Sequence, residues 1–315
     1  MMLQYRRAYE RDIIHRWEGN PLITTLDLQF KCLDMRNAGA IIYRGKVLLL
    51  ITIQHLSGCQ CIHLAQESKN NRFTVSKEPF IQPSSDPKIS VHESMGVLDP
   101  RVIKLGGTYY IMYLAEGIHG FRIGLARTNN FHTVERVGLL SEPDMKAGTL
   151  FPRKIKNRYA RLERPLEGSG IWISYSEDLI YWGDSQFLFS PRAGFWDSSR
   201  IGIGPPPIEL DMGWLLIYYG ARDTSAGPLY RIGTAIVDKD NPAKLLGRCN
   251  RPILGPRELY ERIGNTPNVL FSTGAHIKGN TTLVLYYGAA NSCINVGSAD
   301  LTKVIESCME EKREF

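Results

Sequence analysis

From about residue 36 the chain repeats one pattern of apolar and polar positions. A turn with Gly or Asn opens an apolar, β-branched or aromatic run, a variable polar loop follows, and a second run ends in small and polar residues. The copies fall at 44–51 with 61–65 and the polar 68–70, at 107–113 with 122–128, at 156–162 with 170–176, at 212–219 with 230–235, and at 280–287 with 294–299. Short runs rich in Val, Ile, Leu and Tyr between turn residues predict strands, and few long amphipathic patterns interrupt them. The interval of roughly 50 to 65 residues is that of propeller blades. Blades that stack radially protect the edges a lone sheet would expose. Five copies therefore predict an all-β, five-bladed β-propeller spanning 1–315 as a single domain, with a β-sandwich as the competing architecture. Residues 1–20 are charged and read as a helical or irregular lead-in, and 301–315 as a C-terminal tail. Tyr109, Tyr110, Trp172, Trp214 and Tyr286 are expected to pack between blades.

Composition narrows the picture without deciding it. A chain of 315 residues with 43% hydrophobic and 22% charged positions is ordinary for a globular protein. The net charge of +6 is dispersed, which argues against a nucleic-acid platform and is compatible with an anionic co-substrate such as phosphate. No apolar run approaches the roughly 20 residues of a membrane helix, and the N-terminus lacks the apolar centre of a signal peptide. The six cysteines show neither zinc-ligand spacing nor a disulfide framework, so buried thiols and a reducing cytoplasm are expected, with no metal and no cofactor. Cys59 and Cys61, two apart, would share one strand face. A homo-oligomer is left open.

The stretch Gly96-Val97-Leu98-Asp99-Pro100-Arg101 carries the most chemistry. The proline keeps Asp99 out of helical backbone, and the segment runs into a strand. Taken alone, Asp99 reads as a turn residue bonding its own backbone. The repeat changes that reading, because polar residues at matching places in successive blades converge on one funnel. The candidates are Asn37, Asp99, Arg101, Lys146, Arg153, Lys154, Arg164, Asp197, Tyr219, Asp223 and Asn291. No phosphate-binding glycine loop, Ser-His-Asp pattern or HExxH motif appears. One carboxylate among Asn, Tyr, Arg and Trp suits a sugar, whose faces stack on rings and whose hydroxyls take bidentate groups.

At these residues the chain resembles glycoside hydrolase family 130, the five-bladed propellers that include β-mannoside phosphorylases and some β-mannosidases. The likeness runs from Gly19-Asn20-Pro21-Leu22 to about Asp300 and is carried by several motifs. They are the Asp99 stretch, Leu150-Phe151-Pro152-Arg153-Lys154-Ile155, Arg164-Pro165 with Ile171-Trp172-Ile173-Ser174, and Asp178-Leu179-Ile180-Tyr181-Trp182-Gly183. Further on come Ile201-Gly202-Ile203-Gly204-Pro205-Pro206-Pro207-Ile208, Gly213-Trp214-Leu215-Leu216-Ile217-Tyr218, Pro267-Asn268-Val269 and Tyr286-Tyr287-Gly288-Ala289-Ala290.

The resemblance implies that Asp99 is the catalytic acid, protonating the glycosidic oxygen while the nucleophile attacks the opposite face with inversion. In the phosphorylases the proton passes through a sugar hydroxyl. It implies that Arg101 orients the acid and that Asn37, Asp197, Tyr219 and Asn291 bind sugar. An inverting hydrolase pairs its acid with a second carboxylate that activates water. A phosphorylase needs cations for phosphate instead. Of three phosphate contacts that the resemblance implies, one falls on Thr52 and is lost, one on Lys146 and is kept, and one on Tyr219 and is lost. Glu163 stands where the phosphorylases usually carry His, and Asn291 where the family has Asp. Glu163 is thus the candidate base for water, or else the partner of Arg161 or Arg164; Glu116 is the second candidate. On the Thr52 and Tyr219 departures the balance tips slightly to hydrolysis of β-mannosides. The alternative is a phosphorylase releasing mannose 1-phosphate, with inorganic phosphate as co-substrate near Lys146, Arg153 and Arg164, or with Arg36 compensating. A third reading is a carbohydrate-binding propeller without catalysis.

Overall fold

The computed structural model describes residues 12–68, 72–168 and 170–310. The expectations placed on 1–11, on the polar loop at 69–70 and on 311–315 lie outside them. Each of the five repeats marks the middle hairpin of an antiparallel sheet unit. The first unit is Cys32–Tyr43, Lys46–His55, Gln60–Glu67 and Phe73–Val75, and the second Gly96–Leu105, Thr108–Gly117, Gly120–Thr128 and Glu135–Leu139. A single parallel bridge, Gln60 to Gly96, joins these two. The third is Met145–Leu150, Tyr159–Pro165, Ile171–Ser176 and Gly183–Phe189. The fourth runs from Arg200–Ile203 through Ile208–Leu210, Gly213–Thr224 and Gly227–Asp238 to Leu245–Arg248. The fifth holds Leu270–Lys278, Thr282–Ala289 and Cys293–Asp300.

The lead-in is not helical in its described part. His15–Arg16 and Ile23–Thr24 are short strands that pair antiparallel with Cys293–Asp300, so the two ends of the chain complete one sheet. Arg16 fixes this closure: its Nε donates to Glu261 Oε1 at 2.7 Å and its Nη1 to Asp12 Oδ2 at 2.9 Å, all three buried. The tail begins as the helix Leu301–Met309, capped by Asp300 and burying Leu301, Val304 and Cys308. Among the described residues no helix is long and apolar enough to cross a membrane, no group of three or more ligating side chains could hold a metal, and all six cysteines are free.

The apolar core lies between the units, not within one. In Lys46–His55, Leu48 and Leu50 face the second unit beside Ile62 and Ile111, while Leu49, Ile51 and Ile53 face the fifth beside Tyr286 and Val296. In Gly213–Thr224, Trp214, Leu216 and Tyr218 join the third unit's Phe151 and Ile173, and Leu215 and Ile217 join the fifth unit's Leu270 and Leu285. Met112, Ile123 and Leu150 fill the space between second and third. Alternation with period two thus buries both faces of a middle strand, each fully buried aliphatic side chain contributing about 1.5–3 kcal/mol. Each unit packs on the next, and the fifth packs on the first.

The first strands of the first, second and fifth units approach one another closely. Gly39 and Gly274 leave no room for a side chain there: a Cβ would strike the carbonyl of Pro100 in one case and that of Ala38 in the other.

Candidate active site

Four of the units' first strands carry a β-bulge, that of the fifth unit between Phe271 and Gly274, and the other three each present a polar side chain to one cavity. The register shifts between Arg36 and Ala38, between Leu98 and Arg101, and between Met145 and Ala147. The residues within the shifts include Asn37, Asp99 and Lys146, of which Asn37 and Asp99 have left-handed backbone with φ of 47° and 55°. A bulge breaks the alternation of faces. Consecutive residues, Arg36 with Asn37, Leu98 with Asp99 and Lys146 with Ala147, accordingly line one cavity of about 370 Å³.

Asp99 is held from three sides. Asn37 Nδ2 donates to its Oδ1, its N–H donates to Thr52 Oγ1 at 2.9 Å, and its carbonyl accepts from Arg101 Nη1 at 2.9 Å. Thr52 is therefore the support of the acid's backbone. Arg101 does not touch the carboxylate or line the cavity. Its buried guanidinium spans to the fourth unit, donating to Gly204 O and Ile203 O at 2.7 Å each, and burial lowers its pKa to about 10. It positions the acid's main chain and is no sugar ligand.

Lys146 and Arg164 face Asp99 in the cavity. Lys146 Nζ lies 3.6 Å from the centre of the Phe121 ring. Burial pulls its pKa down and Arg164 adds to this, while Asp99 and Glu116 pull it up. Arg164, 5% exposed, donates its Nε to Ile201 O at 3.1 Å, and among the described residues nothing accepts from its two outer nitrogens. Tyr219 packs edge-on to Phe271 at 5.1 Å and beside Tyr230 at 5.5 Å, and burial keeps its phenol protonated. Asn291, left-handed at φ 49°, donates to Thr266 Oγ1 at 2.8 Å. Glu116 is the second carboxylate on the wall, its Oε2 accepting from Gln60 Nε2 at 2.9 Å.

The other expected residues lie elsewhere. Glu163 is 4% exposed and bonded to Arg161, whose Nη2 and Nε reach Oε2 at 2.8 and 3.2 Å. Its neighbour Arg164 points into the cavity, so on a regular strand Glu163 points away; it is a structural ion pair and not a base for water. Asp197, fully buried, accepts from Arg192 and Tyr218 at 2.9 and 2.8 Å and from Arg248 at 2.6 Å, which makes it a packing node and no sugar ligand. Arg153 stacks on Trp214 and pairs with Glu209 at 2.9 Å at the surface and does not line the cavity. Lys154 lies over Tyr159, and Asp223 pairs with Arg200 at 2.6 Å; neither lines the cavity. The wall also includes Phe121, Tyr230, Thr266 and Phe271, absent from the expectations. Phe121 follows Gly120 and Tyr230 lies two residues after Pro228, both beside hairpin turns, which is the one signal that marks them.

A family model described as β-1,4-mannooligosaccharide phosphorylase matches residues 4–310. A 1,2-β-oligomannan phosphorylase of a Thermoanaerobacter species is 38% identical over 215 residues, covering 67% of this chain and 71% of its own. A β-1,2-mannobiose phosphorylase of Listeria innocua is 30% identical over 341 residues, covering 89% and 94%. The solved structure of β-1,2-mannobiose phosphorylase from Listeria innocua, a complex with β-1,2-mannobiose, superposes with a TM-score of 0.85 at 28% identity, covering 94% of this chain and 99% of that one.

Proposed function

The chain belongs to glycoside hydrolase family 130, and from that premise we propose that it is an inverting β-mannoside phosphorylase that cleaves β-1,2-linked manno-oligosaccharides with inorganic phosphate. One observation carries the reading: Lys146 Nζ and the two outer nitrogens of Arg164, which meet no acceptor among the described residues, belong to side chains that line the same cavity as Asp99. Glu163, the first candidate base for water, is bonded to Arg161. The preference for hydrolysis, drawn from the altered positions Thr52 and Tyr219, is not supported, and the names of the relatives point to phosphorolysis.

In this reading phosphate takes its place against Lys146 and Arg164, each charge-assisted bond worth about 1.5–3 kcal/mol. Tyr219 adds a neutral hydroxyl donor. A phosphate oxygen attacks the anomeric carbon from the face opposite the leaving oxygen. The C1–O bond to the departing sugar breaks, and the proton of Asp99 passes to that oxygen, directly or through a sugar hydroxyl. Asn37 occupies Oδ1 of Asp99 and so assigns the proton to Oδ2. Asn291 and Thr266 offer amide and hydroxyl groups to the sugar, and the rings of Tyr219, Tyr230 and Phe271 offer it apolar faces. The five units, with a core at each successive contact, support a five-bladed β-propeller acting as one domain.

The test is product analysis with β-1,2-mannobiose, with and without inorganic phosphate. Mannose 1-phosphate formed only with phosphate is the expected result. Free mannose released at the same rate without phosphate overturns it.

A further inference from the structure

Arg36 is the third cation on the cavity wall, and it comes from the first unit, whereas Lys146 and Arg164 come from the third. Its Nη2 is committed, donating to both oxygens of Asp34 at 3.1 Å and to Gln54 Oε1 at 3.3 Å. Asp34, 2% exposed, also accepts from Asn265 Nδ2 at 2.8 Å. An arginine of the first unit is thereby fastened to the loop before the fifth, next to Thr266 and Asn291. Among the described residues nothing accepts from its Nη1, although the side chain lines the cavity and is 19% exposed. A guanidinium anchored through Nη2 points its Nη1 in a fixed direction, which suits hydroxyls on a sugar ring.

The bulge that puts Arg36 beside Asn37 also puts it on the side of the acid, because Asn37 holds Asp99. In an inverting displacement the acid and the leaving group lie on one side and the nucleophile on the other. Building on the phosphorylase reading above, we propose that Arg36 binds hydroxyls of the leaving sugar, the acceptor in the synthetic direction, and so determines which acceptors are taken. Lys146 and Arg164 then serve phosphate, and the two cationic regions of the cavity divide the two substrates between them.

The test runs the reaction in synthesis, with mannose 1-phosphate as donor and mannose as acceptor. Arg36→Gln is expected to raise the acceptor KM by about ten- to hundredfold, with the KM for mannose 1-phosphate changed by less than about twofold. Arg36→Lys keeps a charge for Asp34 and loses the planar second nitrogen, so it should fold as the parent and show an intermediate acceptor KM. An unchanged acceptor KM in both variants overturns the assignment. So does a raised phosphate KM in the cleavage direction, which would put Arg36 on phosphate. If the parent enzyme cleaves mannobiose without phosphate, the phosphorylase reading alone falls. The subsite is then read from the mannobiose KM and from inhibition by mannose, and the assignment stands only if Arg36→Gln weakens both.

Discussion

Asn37 donates its side-chain amide to Asp99 Oδ1 across the contact between the first two sheet units, and both residues have left-handed backbone. Left-handed backbone costs an L-residue roughly 1–2 kcal/mol, and such strain persists where surrounding structure enforces it. Asp99→Asn should lower turnover by about 10²- to 10⁴-fold, the range contributed by a positioned acid. Asn37→Gly removes the amide and relieves its backbone. We expect a clear loss of kcat with no loss of stability, read by parallel rate and thermal-unfolding measurements.

Lys146→Ala should raise the phosphate KM by about ten- to hundredfold while leaving the mannobiose KM near its parent value. Because burial depresses the Lys146 pKa, the ammonium is lost at lower pH than for an ordinary lysine. The phosphate KM should therefore climb on the alkaline side, starting below the usual lysine range near about 10.4. In Lys146→Arg that climb should disappear. Initial rates against phosphate across pH distinguish the two.

Glu163 and Arg161 form a buried pair away from the cavity, 6% and 4% exposed at the side chain. Glu163→Gln should retain turnover within about twofold and lose stability, the reverse of what a catalytic base would show. Arg161→Met strands the carboxylate and should cost about 3–5 kcal/mol, measured by denaturant unfolding.

Asp197 gathers Arg192, Arg248 and Tyr218 in the fourth unit. Asp197→Ala leaves two half-buried guanidinium groups without their carboxylate, and we expect about 3 kcal/mol of lost stability. The KM for mannobiose, measured well below the unfolding temperature, should stay near that of the parent.

The middle hairpins were legible because continuous apolar and aromatic runs follow Gly or Asn turns, as at Gly213 and Asn280. Asp99 was legible because Asp-Pro admits few backbone shapes. The face each candidate would present was not. Glu163 and Arg164 differ by one position and point to opposite sides, and a bulge at Asn37 or Lys146 reverses that parity without any mark in the sequence. Asp197 and Arg153 were misplaced for another reason: their partners, Arg248 and Glu209, are remote in sequence. The short strand at His15–Arg16 carries too few residues to show a period at all.

That strand and Ile23–Thr24 bind the last strand of the fifth unit. Residues 15–24 emerge from a ribosome long before 293–300, so they wait unpaired while the strands between them are made. The fifth unit snaps shut only once Cys293–Asp300 has emerged. Removing residues 15–24 should therefore leave a nearly whole protein with that one sheet unlatched.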